Sequence, residues 1–166
     1  MSRTRLAPEL YLNREWGQLA FNRRVLAQAE NRGHPLLERL KFLCIVSSNL
    51  DEFFEIRVAR LKAEIEAGSP PIGPDRMRAD QVFKRVAHEA HELVTAQYQL
   101  LDQEILPGLA SQRVRFLRRS DFTPAQAEWV KAYFFREVMP VLTPIGLDPA
   151  HPFPRVLNKS LNFAVE

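Results

Sequence analysis

The chain is predicted to be mainly α: an antiparallel bundle of three long helices, then a short extended segment, a fourth helix and the start of an α/β or α+β domain. Apolar residues recur at spacings of three and four over three long stretches. Proline and glycine separate those stretches, at Gly33 and Pro35, at 68–74 (GSPPIGP), at Pro107 and Gly108, and from Pro140 to Pro154. Two-residue alternation is confined to 112–119 and 161–165.

Between Asn13 and Asn31 the residues Trp16, Leu19, Ala20, Val25, Leu26 and Ala29 predict a first amphipathic helix, in which Gly17 is the weak point. From Pro35 to about Ala67 a stripe of Leu36, Leu40, Leu43, Ser47, Leu50, Phe54, Val58, Leu61 and Ile65 predicts one uninterrupted helix. At ~1.5 Å per residue it is about 50 Å long. Pro35 suits its first turn, where a missing N–H costs nothing, and Gly68 stops it. After the PPIGP turn, Val82, Phe83, Val86, Ala90, Leu93, Val94, Leu100, Leu101 and Ile105 mark a third helix, which antiparallel packing on the second accommodates. Gln112 to Arg119 (QRVRFLRR) predicts a short strand or extended segment, and a fourth helix runs from Thr123 or Pro124 to about Met139. The alternation of Leu161, Phe163 and Val165 suggests a strand, and a strand needs a neighbour. The expected organisation is therefore a helical bundle domain over 1–108 and, over 109–166, the beginning of a second domain of a longer protein.

With 166 residues, 46% hydrophobic and 26% charged, the chain sits near the globular average, which argues against a disordered, collagen-like or repetitive protein. The longest apolar run, Phe42 to Val46, falls far below the ~18 residues of a membrane span. The N-terminus lacks a secretory pattern, so a cytoplasmic protein is expected, with peripheral membrane association left open. Cys44, the single cysteine, cannot close an internal disulfide, and inside FLCIV it reads as a small buried hydrophobe. The net charge of +3 mildly favours anionic partners. None of the four histidines has zinc-type spacing with cysteine, and His88 with His91 and Glu92 forms only a weak metal-clamp signal. Arg113, Arg115, Arg118 and Arg119 either guide an anionic chain or keep an edge strand soluble. With Phe116 alone interleaved, they make no platform for single-stranded nucleic acid, and no specific nucleic-acid partner is expected.

On a helical wheel the second helix carries another row, Phe42, Val46, Asn49, Phe53 and Ile56, about a third of a turn from the main stripe. Its middle is thus expected to be covered on more than one side. Asn49 is the odd member. One reading is a buried amide that bonds a neighbouring helix and fixes register; the other is an amide held ready for a polar ligand such as a nucleobase or phosphate. Asp51, at the margin of the polar arc, is expected to pair with Arg23, Arg24 or Arg57.

The string HPLLERLKFLCIVSSNLDEFFEIRVARLK, His34 to Lys62, resembles the N-terminal region of the polyphosphate kinase family. LYLNRE with FNRRVL, Leu10 to Leu26, is similar to that family's first helix, and Val138 to Val165 is similar to the start of its second domain. One departure touches the packing and N-capping of the first helix: where the family reads Leu-Ser-Trp-Leu before Phe-Asn, this chain has Trp16, Gly17, Gln18 and Leu19. The resemblance implies a kinase that builds polyphosphate reversibly from ATP through a phosphohistidine, releasing ADP, with magnesium bound by later domains and the phosphohistidine beyond Glu166. None of His34, His88, His91 and His151 falls in a matching motif. It implies that the asparagine of Ser-Asn-Leu-Asp-Glu-Phe, here Asn49, contacts ATP. The remaining domains of the same chain and further copies in a homo-oligomer are the implied partners. The alternative reading is a purely structural helical assembly module. The region alone is expected to be inactive.

Overall fold

The computed structural model describes residues 7–71, 73–157 and 160–165, and the chain divides into two compact units, Met1–Phe116 and Leu117–Glu166.

In the first unit α1 (Arg14–Glu30) starts at Asn13, whose Oδ1 accepts from the N–H groups of Glu15 and Trp16 at 3.1 and 3.3 Å. Two donors that a helix start leaves unpaired are thereby satisfied, so the altered tryptophan position coexists with an intact cap. Asn13 Nδ2 also donates to Asp75 Oδ2 at 2.7 Å, tying the start of α1 to the loop between the second and third rods. Trp16 lies under the Arg85 guanidinium, 3.8 Å from the ring centroid, a favourable charge–quadrupole arrangement.

The second rod runs through the expected span but is not uniformly α. It comprises α2 (Leu36–Glu52), a π turn (Phe53–Val58) and α3 (Ala59–Glu66). The Ala59 N–H reaches the Phe54 carbonyl, a five-residue step that adds one residue to the turn and shifts the phase of the apolar stripe. Leu43, Val46, Leu50, Phe53, Val58 and Leu61 are buried, whereas Phe54, expected on the stripe, is 41% exposed. Ser47 is exposed as well. Cys44 corrects the sequence reading in the same way: it is exposed, because its position lies about 100° round the helix from buried Leu43, off the face that meets the other helices. Gly68 ends the rod at φ 60°, with its N–H bonded to Ile65 O and that of Ser69 to Glu64 O, the paired bonds of a Schellman stop.

The third rod is α4 (Ala79–Leu100), a π turn (Leu101–Ile105) and α5 (Leu106–Ser111). It passes the boundary expected at Pro107 because that proline lies in the first turn of α5, where its missing N–H is tolerated. Gly108 lets α5 approach α2 closely; a Cβ there would stand 3.1 Å from both methyl carbons of Leu36. α3 packs against α4 while α2 packs against the π turn that follows α4, so the two rods are antiparallel, and α1 lies against both α2 and α4. Leu26, Val46, Val86, Leu93 and Ile105 form the most buried part of the core. At one end Glu104 receives Arg32 through Nε and Nη2 at 3.2 and 2.8 Å and Arg39 Nη2 at 2.7 Å, and the buried Arg39 also donates through Nε to Ala29 O at 2.6 Å.

In the second unit Thr123 and Gln126 form a reciprocal capping box that starts α6 (Pro124–Tyr133). A π turn (Phe134–Val138) and a 3₁₀ turn (Met139–Val141) complete the fourth helix about where the sequence ends it. Trp129 stacks on Tyr133, and both remain exposed. No strand forms among the described residues. Residues 114–118 and 160–165 are neither helix nor strand, since a strand exists only as part of a ladder and no described segment pairs with either.

Candidate functional site

The amide singled out in the sequence sits on α2, one turn before the π turn begins. Asn49 is half-buried, and its Nδ2 donates to Oδ1 of Asn22 on α1 at 2.9 Å. Asn22 is 0% exposed, and its own Nδ2 has no partner in the structure. A buried amide donor left unpaired costs about 1–3 kcal/mol. The bond to a neighbouring helix is what the register-fixing reading of Asn49 expects; the partial exposure is what the ligand-facing reading expects. Both hold at once.

Asn22 was not singled out by the sequence reading, although a signal was present. It lies three residues after Leu19 and four before Leu26, both buried, so a polar residue interrupts the apolar stripe of α1 in the way Asn49 interrupts its own row. The rest of the row around Asn49 divides. Val46 and Phe53 are buried, Phe42 is half-buried and packs against His34, and Ile56 is 53% exposed. Ile45, one turn before Asn49 on the same face, is also exposed. Among the described residues of the first unit the middle of this rod is therefore covered on one side, and Asn49 stands with exposed Ile45 and Ile56 outside that cover.

Several expected pairings take other forms. Asp51 makes no ion pair among the described residues: Arg23 reaches Glu92 Oε2 at 3.7 Å, and Arg24 donates to Ala20 O and lies over Phe21. Arg23 is engaged across the bundle by α4 and Arg24 by its own helix. The His88, His91, Glu92 trio does not assemble as a clamp, because Nδ1 of His91 lies 2.6 Å from Ala87 O of its own helix while His88 Nε2 is 3.5 Å from Glu92. No group of three His, Cys, Asp or Glu among the described residues could hold a metal ion. His34 contacts Gln28, and His151 contacts Asp148, whose carboxyl is held low mainly by the Ala150 N–H and then by His151. Arg113, Arg115, Arg118 and Arg119 are exposed; Arg113 has a left-handed φ of 67°. The strongest electrostatic perturbation is Glu104, pulled down to about 2 by hydrogen bonds from Arg32 and then Arg39. It is a clamp between rods, distant in sequence and in partners from Asn49. No helix of the described residues is long and apolar enough to cross a membrane.

Residues 11–117 match the family described as polyphosphate kinase N-terminal domain, and residues 125–166 match that described as polyphosphate kinase middle domain. The polyphosphate kinase of Burkholderia multivorans is 54% identical over 155 residues, covering 93% of this chain and 23% of that protein. That of Pseudomonas aeruginosa is 52% identical over 157 residues, covering 95% of this chain and 23% of its own length. The crystal structure of polyphosphate kinase from Porphyromonas gingivalis aligns with a TM-score of 0.72 at 28% identity, over 88% of this chain and 21% of that one. The chain thus spans about a quarter of the length of the relatives it matches.

Proposed function

Since the chain belongs to the polyphosphate kinase family, we propose that it is the nucleotide-contacting N-terminal part of an enzyme that reversibly transfers the terminal phosphate of ATP to polyphosphate. On this reading the phosphohistidine and the magnesium sites lie outside these residues, the bundle is the N-terminal domain, and the segment after it opens the next one. The complete enzyme is a cytoplasmic homo-oligomer.

The observation that carries the proposal is the position of Asn49. A purine needs apolar surface for its face and a few placed polar atoms for its edge. A partly exposed amide with exposed Ile45 one turn before it on α2 and exposed Ile56 in the π turn that follows offers both in part. The chain's share of the reaction is binding and orientation of the donor, which in phosphoryl transfer accounts for much of the catalysis. In a complete polyphosphate kinase carrying this chain, Asn49→Ala is expected to raise KM for ATP by about tenfold, the worth of one hydrogen bond. Unchanged ATP kinetics would remove Asn49 from the site. The chain by itself is expected to transfer no phosphate.

A second reading has its own observation. Phe21, Ile45, Phe54 and Ile56 are all exposed on the first unit, as expected of a face that docks other domains or another copy. Light scattering of the chain over a concentration series separates the two: self-association supports assembly, and a monomer leaves the ligand reading.

A further inference from the structure

We infer that Asn22 is a positioning residue that turns the Asn49 amide oxygen outward, so that Asn49 reads a hydrogen-bond donor on the nucleoside, the 6-amino group of adenine, rather than a phosphate. The inference rests on the proposed contact between Asn49 and ATP.

Asn22 cannot swing away. It is fully buried in the stripe of α1 between Leu19 and Leu26, and its Oδ1 takes the Asn49 Nδ2 at 2.9 Å. That bond points Asn49's donor into the bundle. The other end of the amide, Oδ1, is not among the buried unpartnered atoms, which are Trp16 Nε1 and Asn22 Nδ2, and Asn49 as a whole is only partly buried. A carboxamide oxygen only accepts hydrogen bonds. Phosphate oxygens at neutral pH also accept, so they gain nothing from this atom, whereas an exocyclic amine donates. A purine with a keto group at position 6 would bring a second acceptor against the first. Were Asn22 apolar, the Asn49 amide would be free to rotate and present either end. The arrangement makes the contact a filter, and the filter is set by a residue that touches no ligand.

The test compares ATP with inosine triphosphate, which differs at position 6, in a complete polyphosphate kinase carrying this chain. The readout is the ratio of kcat/KM values for wild type, Asn22→Leu, Asn22→Asp and Asn49→Ala. Wild type is expected to prefer ATP by at least about tenfold. Asn22→Leu and Asn49→Ala should each lower that ratio by about tenfold, through KM for ATP with kcat changed by no more than about twofold. Asn22→Asp keeps an acceptor facing Asn49 and should hold the ratio near wild type. A ratio untouched by Asn22→Leu, even with a lower melting temperature, overturns the positioning role. Should Asn22→Leu fail to fold, loss of preference in Asn22→Asp overturns it instead. If Asn49→Ala raises KM equally for both nucleotides, the nucleotide contact stands and the 6-amino assignment falls. If it raises neither, the contact itself falls.

Discussion

Phe53 and Phe54 decide whether the long rod is a straight α-helix or carries a π turn. Uniform α periodicity puts Phe54 on the buried stripe with Leu50, Val58 and Leu61; the structure buries Phe53 at 2% exposure and leaves Phe54 at 41%. The two rings meet edge to face, centroids 5.9 Å apart at 86°. Truncating a buried phenylalanine to alanine costs about 3–5 kcal/mol. Truncating Phe54 forfeits roughly half a side chain's burial and part of the ring pair, about 1–2 kcal/mol. The expected gap is therefore ~2 kcal/mol. With an m-value near 2 kcal/mol/M, the urea midpoints of Phe53→Ala and Phe54→Ala should lie about 1 M apart. Equilibrium unfolding followed by far-ultraviolet circular dichroism measures this directly. Equal midpoints, or a lower midpoint for Phe54→Ala, would refute the phase shift and restore the straight helix.

Three further outcomes are expected. Glu104, with an ordinary value of 4.5, is held at about 2 by Arg32 and Arg39, so its stabilisation is complete above pH 4.5 and is lost as pH falls through 2; Glu104→Gln should lower the melting temperature at neutral pH and flatten its decline in that acid window, and an unaltered acid limb would contradict the clamp. Gly68 has φ 60° and no atom within 4 Å of an added Cβ, so Gly68→Ala should cost about 1 kcal/mol from backbone conformation alone, and an unchanged melting temperature would show that the Schellman stop is not formed. Asn49→Ala breaks the bond to Asn22 and should cost about 1–2 kcal/mol of stability, checked by calorimetry of the chain.

Helix positions were legible because they depend on local period and punctuation. The spans of α1, the second rod and α4 follow from threes and fours bounded by Asn13, Gly68 and the PPIGP turn. What failed was phase. A π turn leaves no mark in apolar spacing unless Phe53 and Phe54 can be told apart, and adjacent phenylalanines satisfy either register. Pro107 misled for the related reason that a proline within the first turn of a new helical segment resembles a terminator. Cys44 was misplaced because a run such as FLCIV wraps the helix, so that composition alone does not say which of five residues faces inward. At the site, Asn49 stood out as a lone amide on an apolar row, but its partner did not, since pairing between α1 and α2 is a tertiary fact.

That pairing changes how Asn49 should be weighed. A register-fixing amide and a ligand-facing amide are rivals only while the side chain is treated as a point; a carboxamide has a donor end and an acceptor end, and one bond can engage each. Here the donor end is held by Asn22. Replacing both asparagines with apolar residues of similar shape removes the unpaired Asn22 Nδ2 along with the bond, an exchange that is nearly neutral or stabilising wherever the bond is not what holds the helices together. The double variant Asn22→Leu, Asn49→Leu therefore separates the roles: it should match or exceed wild type in melting temperature while losing the preference for ATP in the complete enzyme. If it melts well below wild type, the amides hold the bundle together, and the orientation of Asn49 is a by-product of that task.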